Sequence, residues 1–182
     1  MTDMETSSSG GIGENVEKAG NALKVGILSS LKALNEIEVG VVDLARNVVS
    51  DALKATGCVA TEAVNVAKGV IKGAVSATED VGTGLLMSTK SVAKGIVMGV
   101  SDVGGDIFSV ARQTAQGAVE AASSVGADVG QVAKKAVDGI LEAGKEIGTN
   151  AEDLARTAIG GSIEAAGAIG ESAVKAVKGV LL

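Results

Sequence analysis

Starting at Lys24 and stepping by 22 residues, the chain gives Lys24, Arg46, Lys68, Lys90, Arg112, Lys134, Arg156 and Lys178. All eight are cations, although only 16 of 182 residues are Lys or Arg, so the column is not chance. Other columns keep the same step. Leu31, Leu53, Val75, Val97, Val119, Leu141 and Ile163 are aliphatic, and Ile37, Val59, Val81, Val103, Val125, Ile147 and Ile169 are β-branched. Ala33, Ala55, Ala77, Gly99, Ala121, Ala143 and Ala165 are small, and Gly82, Gly104, Gly126, Gly148 and Gly170 form a glycine column. No insertion breaks the register from Ala22 to Leu182. A fixed period above 20 residues restricts the chain to a solenoid, an array or a long helix.

The internal pattern selects helix. Twenty-two is two elevens, and eleven residues make three turns at 3.67 residues per turn. On that wheel the Val/Ile/Leu/Ala columns share one broad arc. Glu120, Glu142 and Glu164, with Glu36, Asp80, Asp102 and Glu146, lie opposite. The cation column borders the apolar arc, which is wider than a coiled-coil seam. The alternation of a strand is missing, and VEAA, ILEAGKE and SIEAAGAIG suit strands poorly, so a β-solenoid is a minor rival. The expectation is an all-α protein: residues 1–21 as a flexible polar leader and helix entry, then 22–182 as one helical repeat region of about seven units and a partial eighth. A continuous helix over 22–182 would run ~240 Å at 1.5 Å per residue. Gly104-Gly105 and Gly160-Gly161 are the candidate bends, and the first would place a hairpin near the middle. The unbroken register favours continuity. Interior glycine costs about 1 kcal/mol relative to alanine, so helicity must come from burying the apolar face.

The composition removes many activities. There is no histidine, tryptophan, tyrosine or proline, and Phe108 and Cys58 are alone of their kinds. That excludes an imidazole base, a thiolate zinc cage, an internal disulfide and an aromatic platform for single-stranded nucleic acid. The net charge of −6 argues against nucleic acid as a partner. MTDMETSSSGG lacks the cationic start of a targeting peptide. The longest uncharged run, Val81 to Thr89, is far short of a bilayer span. The expected location is therefore cytoplasmic, peripheral to a surface. Gly139–Lys145 fits a phosphate-loop pattern but is followed by Glu146 rather than Ser or Thr, and it is one copy of the repeat. Gly11-Ile-Gly13 lacks the third glycine of a dinucleotide turn, and Glu79 and Asp80 diverge around a helix. Cys58 has no activating base, and Met87 and Met98 read as gap-fillers. No enzyme activity, cofactor, metal or small-molecule substrate is expected.

The segment Val66-Ala-Lys-Gly-Val-Ile-Lys-Gly-Ala-Val-Ser-Ala-Thr-Glu-Asp-Val-Gly-Thr-Gly84 resembles the eleven-residue repeats of synucleins. In style the resemblance extends over most of 22–182. It is similar also to the perilipin repeats and, more loosely, to phasins, the coat proteins of polyester granules. The resemblance implies a chain that is loosely ordered alone and becomes a long helix on a membrane or inclusion. The repeat region departs from that pattern in not being net basic, which shifts the expected surface from anionic vesicles to neutral ones. The paired-lysine motif of synucleins is mostly absent, and there is no acidic tail.

Two functions follow as expectations. The first is a non-enzymatic structural protein that binds a lipid membrane or a lipid or polyester inclusion, its apolar columns inserting and its border cations snorkelling. The alternative is a homo-oligomeric, self-assembling protein whose helices pack into a hairpin, bundle or filament. Gly82, Gly104, Gly126, Gly148 and Gly170 would then be the small-residue seam, and the cations would pair with acids on a neighbouring helix.

Overall fold

The computed structural model describes residues 36–55, 57, 59–77 and 84–182. The described chain is all helical: α1 (36–55), α2 (Val59–Ala77), α3 (Gly84–Asp102), α4 (Ile107–Ser124), α5 (Val129–Ile147), α6 (Ala151–Ile169) and α7 (Glu171–Leu181). The expected leader, together with Lys24, Leu31, Val81 and Gly82, lies outside the described residues.

Each 22-residue unit is one helix and its turn, and this corrects the continuous-rod reading. The chain does turn at Gly104-Gly105, but it turns again at every later unit. At three of these turns the cause is a recurring four-residue passage, Val103-Gly-Gly-Asp106, Val125-Gly-Ala-Asp128 and Ile147-Gly-Thr-Asn150, while the last turn, at Gly170, has no side-chain cap. The glycines take left-handed backbone angles, with φ of 71° at Gly104, 70° at Gly126 and 80° at Gly148. At the residue after each, an N–H reaches back into the last turn: Gly105 to the Val100 carbonyl, Ala127 to Ala122 and Thr149 to Gly144. This is a Schellman closure. The next side chain then caps the following helix. Asp106 accepts from Phe108 N and Ser109 N, Asp128 from Gln131 N and Asn150 from Asp153 N. Gly160-Gly161, the other candidate bend, lies inside α6 and breaks nothing.

Residues Glu38 to Leu182 form one compact unit. Among the helices from α2 on, each touches only the neighbours one and two places away, and the next-but-one contacts are for the most part the more extensive. α1 likewise packs on α3 through Val42, Ala45, Arg46 and Val49. Pairings advance together along both helices, Lys90 with Glu142 and then Lys94 with Glu146, so helices two apart run parallel. The intervening helix must run in reverse. The result is two layers, α1-α3-α5-α7 and α2-α4-α6, with a main apolar cluster running from Val42 to Ala158 and a smaller one around Val119, Ala133, Ala166 and Val177. It is a helical solenoid with nearest-neighbour connectivity.

The first aliphatic column supplies part of that core. Leu53, Val75, Val97 and Val119 are fully buried, whereas Leu141 and Ile163 are half-buried. α7 meets α5 around Gly130 and stops before reaching Leu141. The β-branched column does not form the continuous apolar face expected of it. Val103, Val125 and Ile147 stand at helix ends, half-buried, while Ile37 and Ile169 are exposed. The Val59 side chain lies outside the described residues.

Because the left-handed region costs an L-residue about 1–2 kcal/mol, Gly126→Ala and Gly148→Ala should each lower stability by about that much. Urea denaturation measures it. Unchanged midpoints would contradict the turn assignment.

Candidate functional site: the seam between next-but-one helices

The cation column lies along the outer flank of each layer, and the structure brings four of its members against acids two helices ahead. Lys68 Nζ is 3.2 Å from Glu120 Oε1, Lys90 Nζ is 2.6 Å from Glu142 Oε1, and Arg112 pairs with Glu164. Each pair spans 52 residues. Arg46 departs from this spacing because Met98 occupies the corresponding position. Its guanidinium reaches one turn further, to Asp102, with Nε 2.5 Å from Oδ2 and a terminal nitrogen 2.7 Å from Oδ1. Lys134, Arg156 and Lys178 make no ion pair among the described residues, and their counterpart positions fall after Leu182.

Beside the pairs lies a glycine column: Gly95, Gly117, Gly139 and Gly161, again at steps of 22. A Cβ added to Gly161 would stand 2.5 Å from the Arg112 carbonyl oxygen. At Gly139 it would run into the Lys90 carbonyl, and at Gly117 it would come within 2.8 Å of Ile71 Cγ2 beside Lys68. At Gly95 it would meet Ala45 Cβ at 2.7 Å and Arg46 N at 3.0 Å. At Gly95, Gly139 and Gly161 the backbones of next-but-one helices therefore touch, where only glycine lets them approach, whereas at Gly117 the close neighbours are side chains of α2. A cation at position n, glycine at n+49 and glutamate at n+52 make one clasp. Three residues separate the last two, which puts them on one helix face. Gly99 adds a second such contact, 2.5 Å from the Arg46 carbonyl oxygen to its virtual Cβ.

This corrects the seam expected from sequence. Gly104, Gly126, Gly148 and Gly170 have open space where a Cβ would go, and they sit in turns, so they make no helix-to-helix seam. The true seam was visible as a second glycine column, and pairing with acids on a neighbour was one of the roles expected of the cations.

The ion pairs merge into ladders. Lys90 lies 3.4 Å from Glu38 as well as bonding Glu142, and Lys94 reaches Glu146 at 2.8 Å. Glu120 is shared by Lys68 and by Lys72 at 2.6 Å. Burial pushes the Glu120 carboxyl up, but hydrogen bonds from Lys72 and Lys68 outweigh it and leave the group below its ordinary value. The Arg46 hydrogen bonds lower Asp102, and the Asp102 bond raises Arg46 in return. The Glu142 bond raises Lys90.

No family model, curated protein or solved structure matches the chain. Among the described residues no cluster of three or more acids and cysteines is placed to hold a metal ion, and no helix is long and apolar enough to cross a membrane. Cys58 lies outside the described residues.

The adjacent pair Gly160 and Gly161 separates propensity from packing. Gly160 faces open space, so Gly160→Ala should stabilise by about 0.5–1 kcal/mol. Gly161→Ala should destabilise by about 1–3 kcal/mol through overpacking against Arg112. Equal signs in thermal unfolding would contradict the seam.

The pH dependence has a definite sign. Asp102 and Glu120 are lowered in the folded state, so their stabilisation is present above the unfolded carboxylate value and is lost as pH falls through the lowered one. Lys90 and Arg46 are raised, so their share is present at neutral pH and lost only as strongly alkaline pH passes their folded values. Urea midpoints should be flat from about pH 6 to 8 and fall below about pH 4.

Proposed function

We propose that this protein is a non-enzymatic structural repeat protein whose units pack on one another, a rigid helical solenoid acting as a scaffold or spacer. One observation carries the reading: the repeated cation–glycine–glutamate clasp joins helix to helix within the chain. The same residue types that would let an amphipathic helix grip a surface are used internally. Leu53, Val75, Val97 and Val119 lie in the core, and Arg46, Lys68, Lys90 and Arg112 have acids as partners.

The surface-binding role expected from the synuclein-like repeats is a second reading, supported by Leu44 and Val48, which stand exposed on α1. It requires the layers to open so that the buried columns meet lipid or polyester. The two readings differ in the state of the isolated chain. The scaffold reading predicts strong helical circular dichroism and cooperative unfolding without lipid, with no gain on adding neutral or anionic vesicles or an oil emulsion. A lipid-free coil that becomes helical only on vesicles or emulsion would overturn it and favour the surface role.

A further inference from the structure

The α1–α3 seam has a thioether where the other three clasps have a carboxylate. Met98, Glu120, Glu142 and Glu164 stand at steps of 22 residues. The three glutamates take the cations that precede them by 52 residues, Lys68, Lys90 and Arg112. Met98 holds the same spacing from Arg46 but offers only a weak acceptor. Arg46 therefore bonds Asp102, one turn further on.

Met98 is also the most enclosed of the four. It is 8% exposed, whereas the glutamate side chains are about a third to a half exposed. Two glycines of α3 bracket it in the seam. A Cβ on Gly95 would run into the Val42 carbonyl, and one on Gly99 would stand 2.5 Å from the Arg46 carbonyl oxygen. Methionine and glutamate share the Cβ–Cγ stem, and methionine Sδ falls where glutamate has Cδ. One oxygen added to Sδ therefore takes the place of a carboxylate oxygen in the other clasps. In so closed a place little water competes for that oxygen, so a bond to it is strong, and an oxygen left without a donor is costly.

We infer that Met98 is a site of reversible thioether oxidation, and that its sulfoxide oxygen accepts from the Arg46 guanidinium and completes the α1–α3 clasp. The oxidant is a peroxide. A sulfur lone pair attacks one peroxide oxygen, and the O–O bond breaks. Sulfur gives up two electrons and keeps that oxygen, while the other leaves as water with the first oxygen's proton. A dithiol reductase reverses the step: it takes the oxygen off as water and is itself oxidised to a disulfide. The inference rests on the scaffold reading, because only the folded seam holds Met98 in register with Arg46.

The test starts from full-length protein carrying Cys58→Ser and Met87→Leu, which remove the thiol and the half-buried methionine of the same helix. The folded protein is treated with hydrogen peroxide, the oxygen on Met98 is located by peptide mass spectrometry, and urea unfolding is followed by circular dichroism. Adding Met98→Leu records any effect of oxidation at Met1 and Met4, and its midpoint should not move. Oxidation of Met98 should raise the midpoint when Arg46 is present and lower it in Arg46→Ala. Asp102→Asn frees the guanidinium for the sulfoxide and should gain more on oxidation than the parent, which keeps the claim testable even if Arg46→Ala does not fold. An equal fall with and without Arg46 would mark a sulfoxide that only disturbs the core and would overturn the inference. So would a Met98 that peroxide leaves unmodified in the folded protein, and both results would leave the scaffold reading intact. A chain already unfolded before peroxide is added would defeat the scaffold reading itself.

Discussion

The close approach of a glycine to the backbone of the helix two places back is the constraint on which this structure depends. The core is built from alanine, valine, isoleucine and leucine, and the one ring, Phe108, is partly exposed. Such side chains bury little area each, at ~25 cal/mol per Å². The layers must compensate by bringing helices near enough for backbone and methyl groups to touch. Gly117, Gly139 and Gly161 allow this at one point per repeat, and Gly95 with Gly99 at two. The helix-propensity cost of those glycines is offset by the packing they permit.

The ion pairs follow from that approach rather than cause it. The paired side chains are about a quarter to a half exposed, and exposed pairs contribute about 0–1 kcal/mol. Overpacking a closed seam costs about 1–3 kcal/mol. The glycine contact therefore sets the spacing, and the ladder chiefly supports register. A slip of one turn would set Arg112 against Gly160 or Ala168, and Lys68 against Gln116 or Ser124, none of them acids. Lys90 is less selective, since the same slip would offer it Asp138 or Glu146. Arg46 shows how a side chain adapts where Met98 interrupts the series.

Much of the architecture was legible in the residues. The 22-residue period, the helical class and the choice of core aliphatics such as Leu53 and Val97 follow from the columns alone. The folding-back was encoded too, in glycine followed two residues later by Asp106, Asp128 or Asn150. It was hidden because 22 residues also make six turns of a slightly unwound helix, so a hairpin array and an unbroken rod share one periodicity. The two glycine columns have the same step, and only their neighbours separate turn from seam: Asx two positions later for one, Glu three positions later for the other. Which acid meets which cation required the parallel offset between alternate helices, which no single-helix wheel contains.

The central claim is that alternate helices lie side by side in a 52-residue register. Gln116 and Ala168, each one turn beyond the Arg112–Glu164 pair, stand on the same flank of α4 and α6. Spin labels attached there through cysteines, with Cys58→Ser to remove the native thiol, report the separation by double electron–electron resonance. Adjacent packed helices predict a narrow distribution near roughly 10–25 Å, given axes about 8–10 Å apart plus the label arms. A single continuous helix would place the labels about 78 Å apart at 1.5 Å per residue, and that distance would contradict the solenoid.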